Sequence, residues 1–215
     1  MVNNSNFGIF GASGCGRGIM PLAREQLAGL AENRLVFVDD AKAGQNINSH
    51  DVLSLDSFAQ LSANASSVVI AVANTFIRRA IADRCTTAGL TFFQVLAKNA
   101  TIMDEVTLGE GALISPYVTL TSNISIGRHF QANLYSYVEH DCVIGDFVTF
   151  APGVKCNGNV RIEDDVYVGT GAMIRQGTEQ SPIIIGKGAT IGMGAVVTKS
   201  VPPGVTVIGN PARIF

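Results

Sequence analysis

Tryptophan is missing from this 215-residue chain, histidine occurs three times (His50, His129, His140) and cysteine four (Cys15, Cys85, Cys142, Cys156). The cysteines form no CxxC pair and show no zinc-ligand spacing, so no metal is expected. Such sparse use fits reduced thiols in a cytoplasm. Charge is scarce too, at 15% of residues with a net −2, which removes the electrostatic case for nucleic acid or an anionic membrane as partner. No apolar run approaches the roughly 18 residues of a membrane span. The start, Met1 to Asn6, is polar and uncharged, without the regions of a secretory signal. What the chain has in quantity is apolar side chains (47%) and glycine (23 residues), ample for a buried core.

Two halves differ in period. Residues 1 to about 98 alternate strands and helices. "NFGIF" (6–10) reads as a buried strand and "GASGCGRG" (11–18) as a glycine-rich turn. A helix is expected from about Met20 to Leu30, with Pro21 in its first turn. "RLVFVDD" (34–40), "SSVVIAVAN" (66–74) and "TFFQVLA" (91–97) read as further strands. "TFIRRAIADRCTTAGL" (75–90) carries helical spacing stopped by Gly89. This alternation predicts a small parallel α/β domain.

From Ala100 the chain divides into sixes: ATIMDE, VTLGEG, ALISPY and so on to AMIRQG, thirteen in all. Five residues, "TEQSP" (178–182), break the frame before IIIGKG, ATIGMG and AVVTKS resume it, giving 13 + 3 = 16. Positions one and three are apolar, and position four is often glycine, expected to relieve a corner. Hexapeptide repetition of this kind predicts a β-helix. Three sixes close one triangular coil, so residue n should lie over residue n + 18, one strand spacing away. One stretch breaks the monotony: "NLYSYVEHDCVIG" (133–145) sets His140 beside Asp141. By the same arithmetic Gly158 (140 + 18) should lie one coil from that histidine.

The hexapeptide run, the centre "VEHDCVIGDFVTFAPG" and the ending "IGKGATIGMGAVVTKSVPPGVTVIGNPAR" together resemble left-handed parallel β-helix acyltransferases. With "GASGCG" in front, the chain more narrowly resembles bacterial enzymes that acetylate amino sugars on a nucleotide carrier, of bacillosamine and perosamine type, and the related sialic acid O-acetyltransferases. The resemblance implies a Rossmann-like sugar-nucleotide domain (1–98) and a left-handed β-helix (99–215) that binds acetyl-CoA and carries the catalytic residues. It implies a homotrimer with acetyl-CoA in a groove between neighbouring prisms. His140 then becomes the general base and Asp141 the carboxylate that orients it. Gly158 offers its N–H to the acetyl oxygen, and Asn133 matches an asparagine near the acceptor sugar. Cofactor contacts carry over to Thr149, Thr170 and Met193, with Lys187, Lys199 and Arg213 as candidates for its phosphates. In the first domain Ser13, Gly14 and Cys15 fall on the loop whose backbone would cradle a diphosphate. Asp39 and Asp40 stand where carboxylates accept bonds from a ribose or base, and Ala73 and Asn74 close the same sheet edge. Relatives usually carry Gly-His-Gly where this chain has Gly14-Cys15-Gly16.

The expected activity is therefore acetyl transfer, without metal, from acetyl-CoA to the 4-amino group of a nucleotide-linked 4-amino-4,6-dideoxy sugar, in cytoplasmic surface-glycan biosynthesis. Two alternatives stay open: O-acetylation of a sialic acid or similar sugar, and a nucleotide sensor or NAD-dependent protein built on the α/β domain. The nucleotide and the sugar are not fixed by the residues.

Overall fold

A computed structural model describes residues 5–28, 34–61 and 66–215. The expected helix end at Leu30 and the first four residues of the polar start lie outside that range. The chain divides into two compact units, Met1–Leu96 and Ala97–Phe215.

In the first unit the elements run β1 (Asn6–Phe10), α1 (Gly14–Gln26), β2 (Arg34–Val38), β3 (Asn46–Ile47), β4 (His50–Leu53), α2 (Leu55–Ala59), β5 (Ser66–Ile70), α3 (Thr75–Thr87) and β6 (Thr91–Phe92). Among the described residues they form one six-stranded sheet in the order β3-β4-β2-β1-β5-β6. All neighbours are parallel except the β3–β4 hairpin. The core is aliphatic and aromatic: Ile9, Phe37, Phe58, Val68, Val69 and Ile70 are fully buried. β2 and β5 leave β1 on opposite sides, so the carboxyl ends of β1 and β5 border a topological switch point, where open α/β sheets take ligands.

Helix α1 departs from expectation. It begins at Gly14, inside the stretch read as a turn, and Pro21 sits in its interior instead of its first turn. Gly16 is what permits the early start, because a Cβ there would lie 1.7 Å from the Gly11 carbonyl oxygen. The glycines thus let the helix press against the loop that feeds it. The β3–β4 hairpin and α2 went unread, being short and without a sustained period. The strands read to 74 and 97 stop at Ile70 and Phe92, although Ala71 N–H still donates to Phe10 O (2.8 Å) and Phe93 N–H to Val68 O (3.2 Å).

The second unit is a prism of short parallel strands. One wall stacks Thr101–Ile102, Thr119–Leu120, Tyr137–Val138, Lys155–Cys156, Met173–Ile174 and Val196–Val197. The register confirms the 18-residue coil: Thr119 pairs Tyr137, Tyr137 pairs Lys155, and Lys155 pairs Met173. Beyond "TEQSP" the offset grows by the five inserted residues, so Met173 pairs Val196 (173 + 18 + 5). Inward positions one and three bury a continuous core that includes Leu120, Val138, Ile144, Phe150, Cys156 and Ile174.

The corners correct one expectation. Left-handed backbone falls at position six of the repeat, not at position four: Tyr117, Asn123, Tyr135, Asp141, Phe147 and Asn159 all have φ between 56° and 62°. Position-four glycines serve another purpose. A Cβ on Gly109, Gly127 or Gly145 would fall 2.4–2.9 Å from backbone or an aspartate of the next coil. They are glycine because the coils stack too closely for a side chain.

Candidate functional site

Corner backbone hydrogen bonds order the residues into columns. In one column Asp141 N–H donates to Ser122 O (3.2 Å), Asn159 N–H to His140 O (3.0 Å) and Gly177 N–H to Gly158 O (2.9 Å). His140 is thus sandwiched between the 121–123 and 157–159 turns. Positive φ at Asp141 (59°) turns its side chain back toward the preceding residue. Its Oδ2 lies 2.7 Å from His140 Nδ1. Both side chains are about half exposed. That hydrogen bond raises the imidazole's pKa above its ordinary value, and the small desolvation cost opposes it. With the proton on Nδ1 held by Asp141, the Nε2 lone pair is free to accept one.

Gly158 faces the ring. A Cβ there would stand 2.6 Å from His140 Cε1 and 2.7 Å from Nε2, so only glycine leaves the imidazole its place. Among the described residues the Gly158 N–H has no acceptor. One coil thus presents a basic nitrogen and the next an unused amide donor at the same corner. The other two histidines are accounted for structurally: His129 is buried and stacks on Phe147 at 4.7 Å, and His50 Nδ1 bonds Leu35 O at 3.3 Å. On the far side of Asp141, the 176–182 turn encloses a cavity of about 610 Å³ with Asn159 and Arg161. Beneath the corner, Cys142 and Cys156 are buried as expected. The Cys156 thiol is held well above the ordinary range by its hydrogen bond to Cys142 and by burial.

The remaining prism candidates lie elsewhere on the same chain. Asn133, Thr170 and Met193 belong to a second corner column, one wall away, linked by Gly153 N–H to Leu134 O and Gly194 N–H to Thr170 O (both 2.8 Å). Asn133 Oδ1 accepts from Leu134 N–H (2.8 Å), while Met193 is fully outward at 81% exposure. Thr149 is buried on the strand Thr149–Phe150 of another wall, stacked between Gln131 and Tyr167. Lys187 is paired with Asp164 (3.4 Å), and Lys199 and Arg213 line a hollow near the end of the prism. A single chain brings His140, Asp141 and Gly158 together and leaves the others apart.

In the α/β unit the candidates do converge, at the carboxyl ends of β1, β2 and β5. Ser13 is the N-cap of α1, yet its hydroxyl accepts from Lys42 Nζ at 2.9 Å and caps no helix N–H. Gly14 and Cys15 begin α1, and space around Gly14 is open. Asp39 spans the loop, accepting from Ala12 N–H (3.0 Å) and Ala41 N–H (3.2 Å). Asp40 accepts from Leu55 N–H and from Arg84 (2.9 and 2.7 Å), and these bonds lower its pKa. Asn74 caps α3 through Ile77 N–H (3.0 Å). Fully buried Arg78 donates to Val72 O and Ala73 O (2.7 and 3.0 Å). Cys15 reaches the surface, but partial burial raises its thiol pKa and only Arg78 opposes this, which disfavours a thiolate nucleophile. Lys42 was not picked out from sequence, because nothing in "DDAKAG" marks which residue folds back onto the glycine loop.

Comparison with known proteins agrees with this architecture. Residues 6–85 match the PglD N-terminal domain, and 159–199 match the hexapeptide repeat of succinyl-transferase. GDP-perosamine N-acetyltransferase from Escherichia coli O157:H7 is 49% identical over 96% of this chain and 95% of its own length. The structure of WeeI from Acinetobacter baumannii AYE superposes with a TM-score of 0.96, at 53% identity over 99% of this chain and all of that one. The acetyltransferase domain of PglB from Neisseria gonorrhoeae FA1090, in complex with acetyl coenzyme A, superposes at 0.85 with 30% identity, covering 99% of this chain and 100% of its own. The fold and these relatives define an enzyme of the hexapeptide acetyltransferase class, an α/β domain joined to a left-handed parallel β-helix. Within that class the chain belongs to the family of GDP-perosamine N-acetyltransferase.

Proposed function

We propose that this enzyme transfers acetyl from acetyl-CoA to the 4-amino group of a nucleotide-linked 4-amino-4,6-dideoxy sugar, with GDP-perosamine as the first acceptor to try. The observation that carries the reading is His140 Nε2 and the Gly158 N–H at one corner, with Asp141 behind the ring. Family membership supplies the reaction class.

In this mechanism the amine attacks the thioester carbonyl directly. His140 accepts the amine's proton at Nε2 while Asp141 stabilises the imidazolium through Nδ1–H. The Gly158 N–H donates to the carbonyl oxygen as it becomes negative, a contribution on the order of 3 kcal/mol for donors of this type. The tetrahedral intermediate collapses by expelling the CoA thiolate, which takes the proton held on His140 Nε2 and leaves the base free again. No step of this mechanism calls on a metal.

The split of candidates over two corners supports a trimer with sites between copies: one prism would supply His140, Asp141 and Gly158, its neighbour Asn133, Thr149, Thr170 and Met193. The α/β unit would hold the nucleotide, with Ser13, Gly14, Cys15 and Lys42 toward the diphosphate and the β2 and β5 ends (Asp39, Asp40, Ala73, Asn74) toward the nucleoside. Asp39 and Asp40 already serve the loop and Arg84, so their share is to shape this edge as much as to touch ligand. The setting proposed is cytoplasmic, in the assembly of surface glycan.

Purified protein incubated with acetyl-CoA and a panel of nucleotide amino sugars tests the reading by mass spectrometry. An amide on the 4-amino sugar is expected; an ester on a sugar hydroxyl, or no product from any amine, would overturn it.

A further inference from the structure

The carboxylate beside His140 is itself tethered from the coil below. Asn123 stands 18 residues before Asp141 and shares its left-handed backbone (φ 58° against 59°). Its Nδ2 donates to Asp141 Oδ1 at 3.4 Å, while Asp141 Oδ2 takes His140 Nδ1 at 2.7 Å. The two carboxylate oxygens are thus divided between an amide that only donates at that atom and the imidazole. We infer that Asn123 is a positioning residue: it fixes the rotation of the Asp141 carboxylate, and through it the tautomer and aim of His140. The inference rests on the catalytic reading of His140 given above, but it makes a prediction about the dyad that needs no substrate.

The physical need is plain. Asp141 is about half exposed, so an untethered carboxylate would rotate in solvent and share its hydrogen bonds with water. A side-chain amide suits the task because it carries no charge at any working pH. An acid in its place would repel Asp141. A Lys or Arg would draw the carboxylate charge away from the imidazole. The electrostatic surroundings are otherwise simple. On its own coil His140 meets Glu139, Asp141 and Cys142, each of which raises its pKa. The turns below (Thr121, Ser122, Asn123) and above (Asn157, Gly158, Asn159) carry no charge. Arg161 and Glu179 share the cavity beside Asp141.

Backbone and side-chain roles of Asn123 separate cleanly. Glycine adopts φ near 58° without steric cost, so Asn123→Gly deletes the amide and keeps the corner. With three histidines in the chain, the His140 ring protons can be followed by NMR against pH in the full-length protein. Asn123→Gly is expected to lower the His140 midpoint toward 6.5, by on the order of 0.3–0.5 pH unit. Asn123→Asp, which adds a negative charge, is expected to raise it. In turnover, Asn123→Gly should reduce kcat roughly 3–10-fold with the KM for acetyl-CoA unchanged. A purely structural asparagine would leave the Asn123→Gly midpoint and kcat at their wild-type values, while the Asn123→Asp rise, which any added carboxylate produces, checks only that the titration senses this corner. Superimposable titration curves for wild type and Asn123→Gly would overturn the inference whatever the enzyme acetylates. Failure of wild type on every amino sugar, with the titration shift present, would strike the functional proposal instead.

Discussion

Replacing Gly158 by alanine probes the site most sharply, because the backbone there allows it. Gly158 is not in the left-handed region that penalises side chains, and the three atoms nearest its added methyl all belong to the His140 ring, at 2.6–3.0 Å. Ordinary carbon contacts sit near 3.5 Å, so the imidazole must retreat by about 0.8 Å. The 2.7 Å bond to Asp141 would then lie outside good hydrogen-bond geometry unless the whole dyad moves with the ring. A misplacement of about 1 Å in an aligned site can cost about 100-fold in rate. The expected result is kcat down roughly 30–100-fold, with the KM for acetyl-CoA moved far less and the melting temperature within a few degrees. The assay is release of free CoA thiol at saturating acceptor, with the His140 ring resonances recorded alongside. An alanine variant at near-normal kcat whose ring resonances had visibly shifted would show that the geometry of this corner does not govern the chemistry.

Further outcomes follow from the same contacts. His140→Ala should lose about 100- to 10,000-fold in kcat, the usual contribution of a positioned base, while isothermal titration still finds CoA binding; ordinary turnover would remove the base assignment. Since Asp141 raises the His140 pKa, kcat/KM should climb with pH through a midpoint above 6.5, and in Asp141→Asn that midpoint should fall back. The same shift fixes the sign for stability: the pair helps the fold below pH 6.5, and its help fades as pH rises through the raised midpoint. Arg84→Ala breaks a half-exposed pair with Asp40 and should cost well under 1 kcal/mol by urea unfolding, a loss that shrinks as pH falls through the lowered Asp40 midpoint. Phe150→Ala, which empties a fully buried site edge-on to Phe130 at 5.3 Å, should cost about 3–5 kcal/mol. If sites lie between copies, co-expressed His140→Ala and Thr170→Arg chains should show activity that neither variant has alone; no recovery after co-expression would argue for a site within one chain.

The prism was legible because its physics is periodic. An apolar residue every second position and a corner every six set the 18-residue stacking, and with it the meeting of His140 and Gly158. What periodicity could not say was which corner residue takes the left-handed backbone. A glycine at position four and an aspartate or asparagine at position six look equally suited to a corner. Only the close approach of the next coil shows the glycines answering to stacking. In the α/β unit, strands of five residues with apolar runs were readable, while α1 was misplaced because its first turn is written in glycine. The partners of Asp39 and Asp40 were invisible for another reason: hydrogen bonds to Ala12 and Arg84 join segments 27 and 44 residues apart, and no local pattern encodes them. Asn123 was overlooked although the offset that found Gly158 finds it too, run downward from Asp141.

The "TEQSP" interruption carries a lesson about growth. Five additional residues leave the ladder at one corner, and pairing resumes with every strand still matched to the one beneath. Stacked coils therefore accept extra length where the chain rounds an edge, and there it costs the core nothing. Lengthening a face by a single residue would turn each later inward side chain outward. A protein of this architecture can vary the rims of its clefts like interchangeable fittings while its shaft stays to gauge.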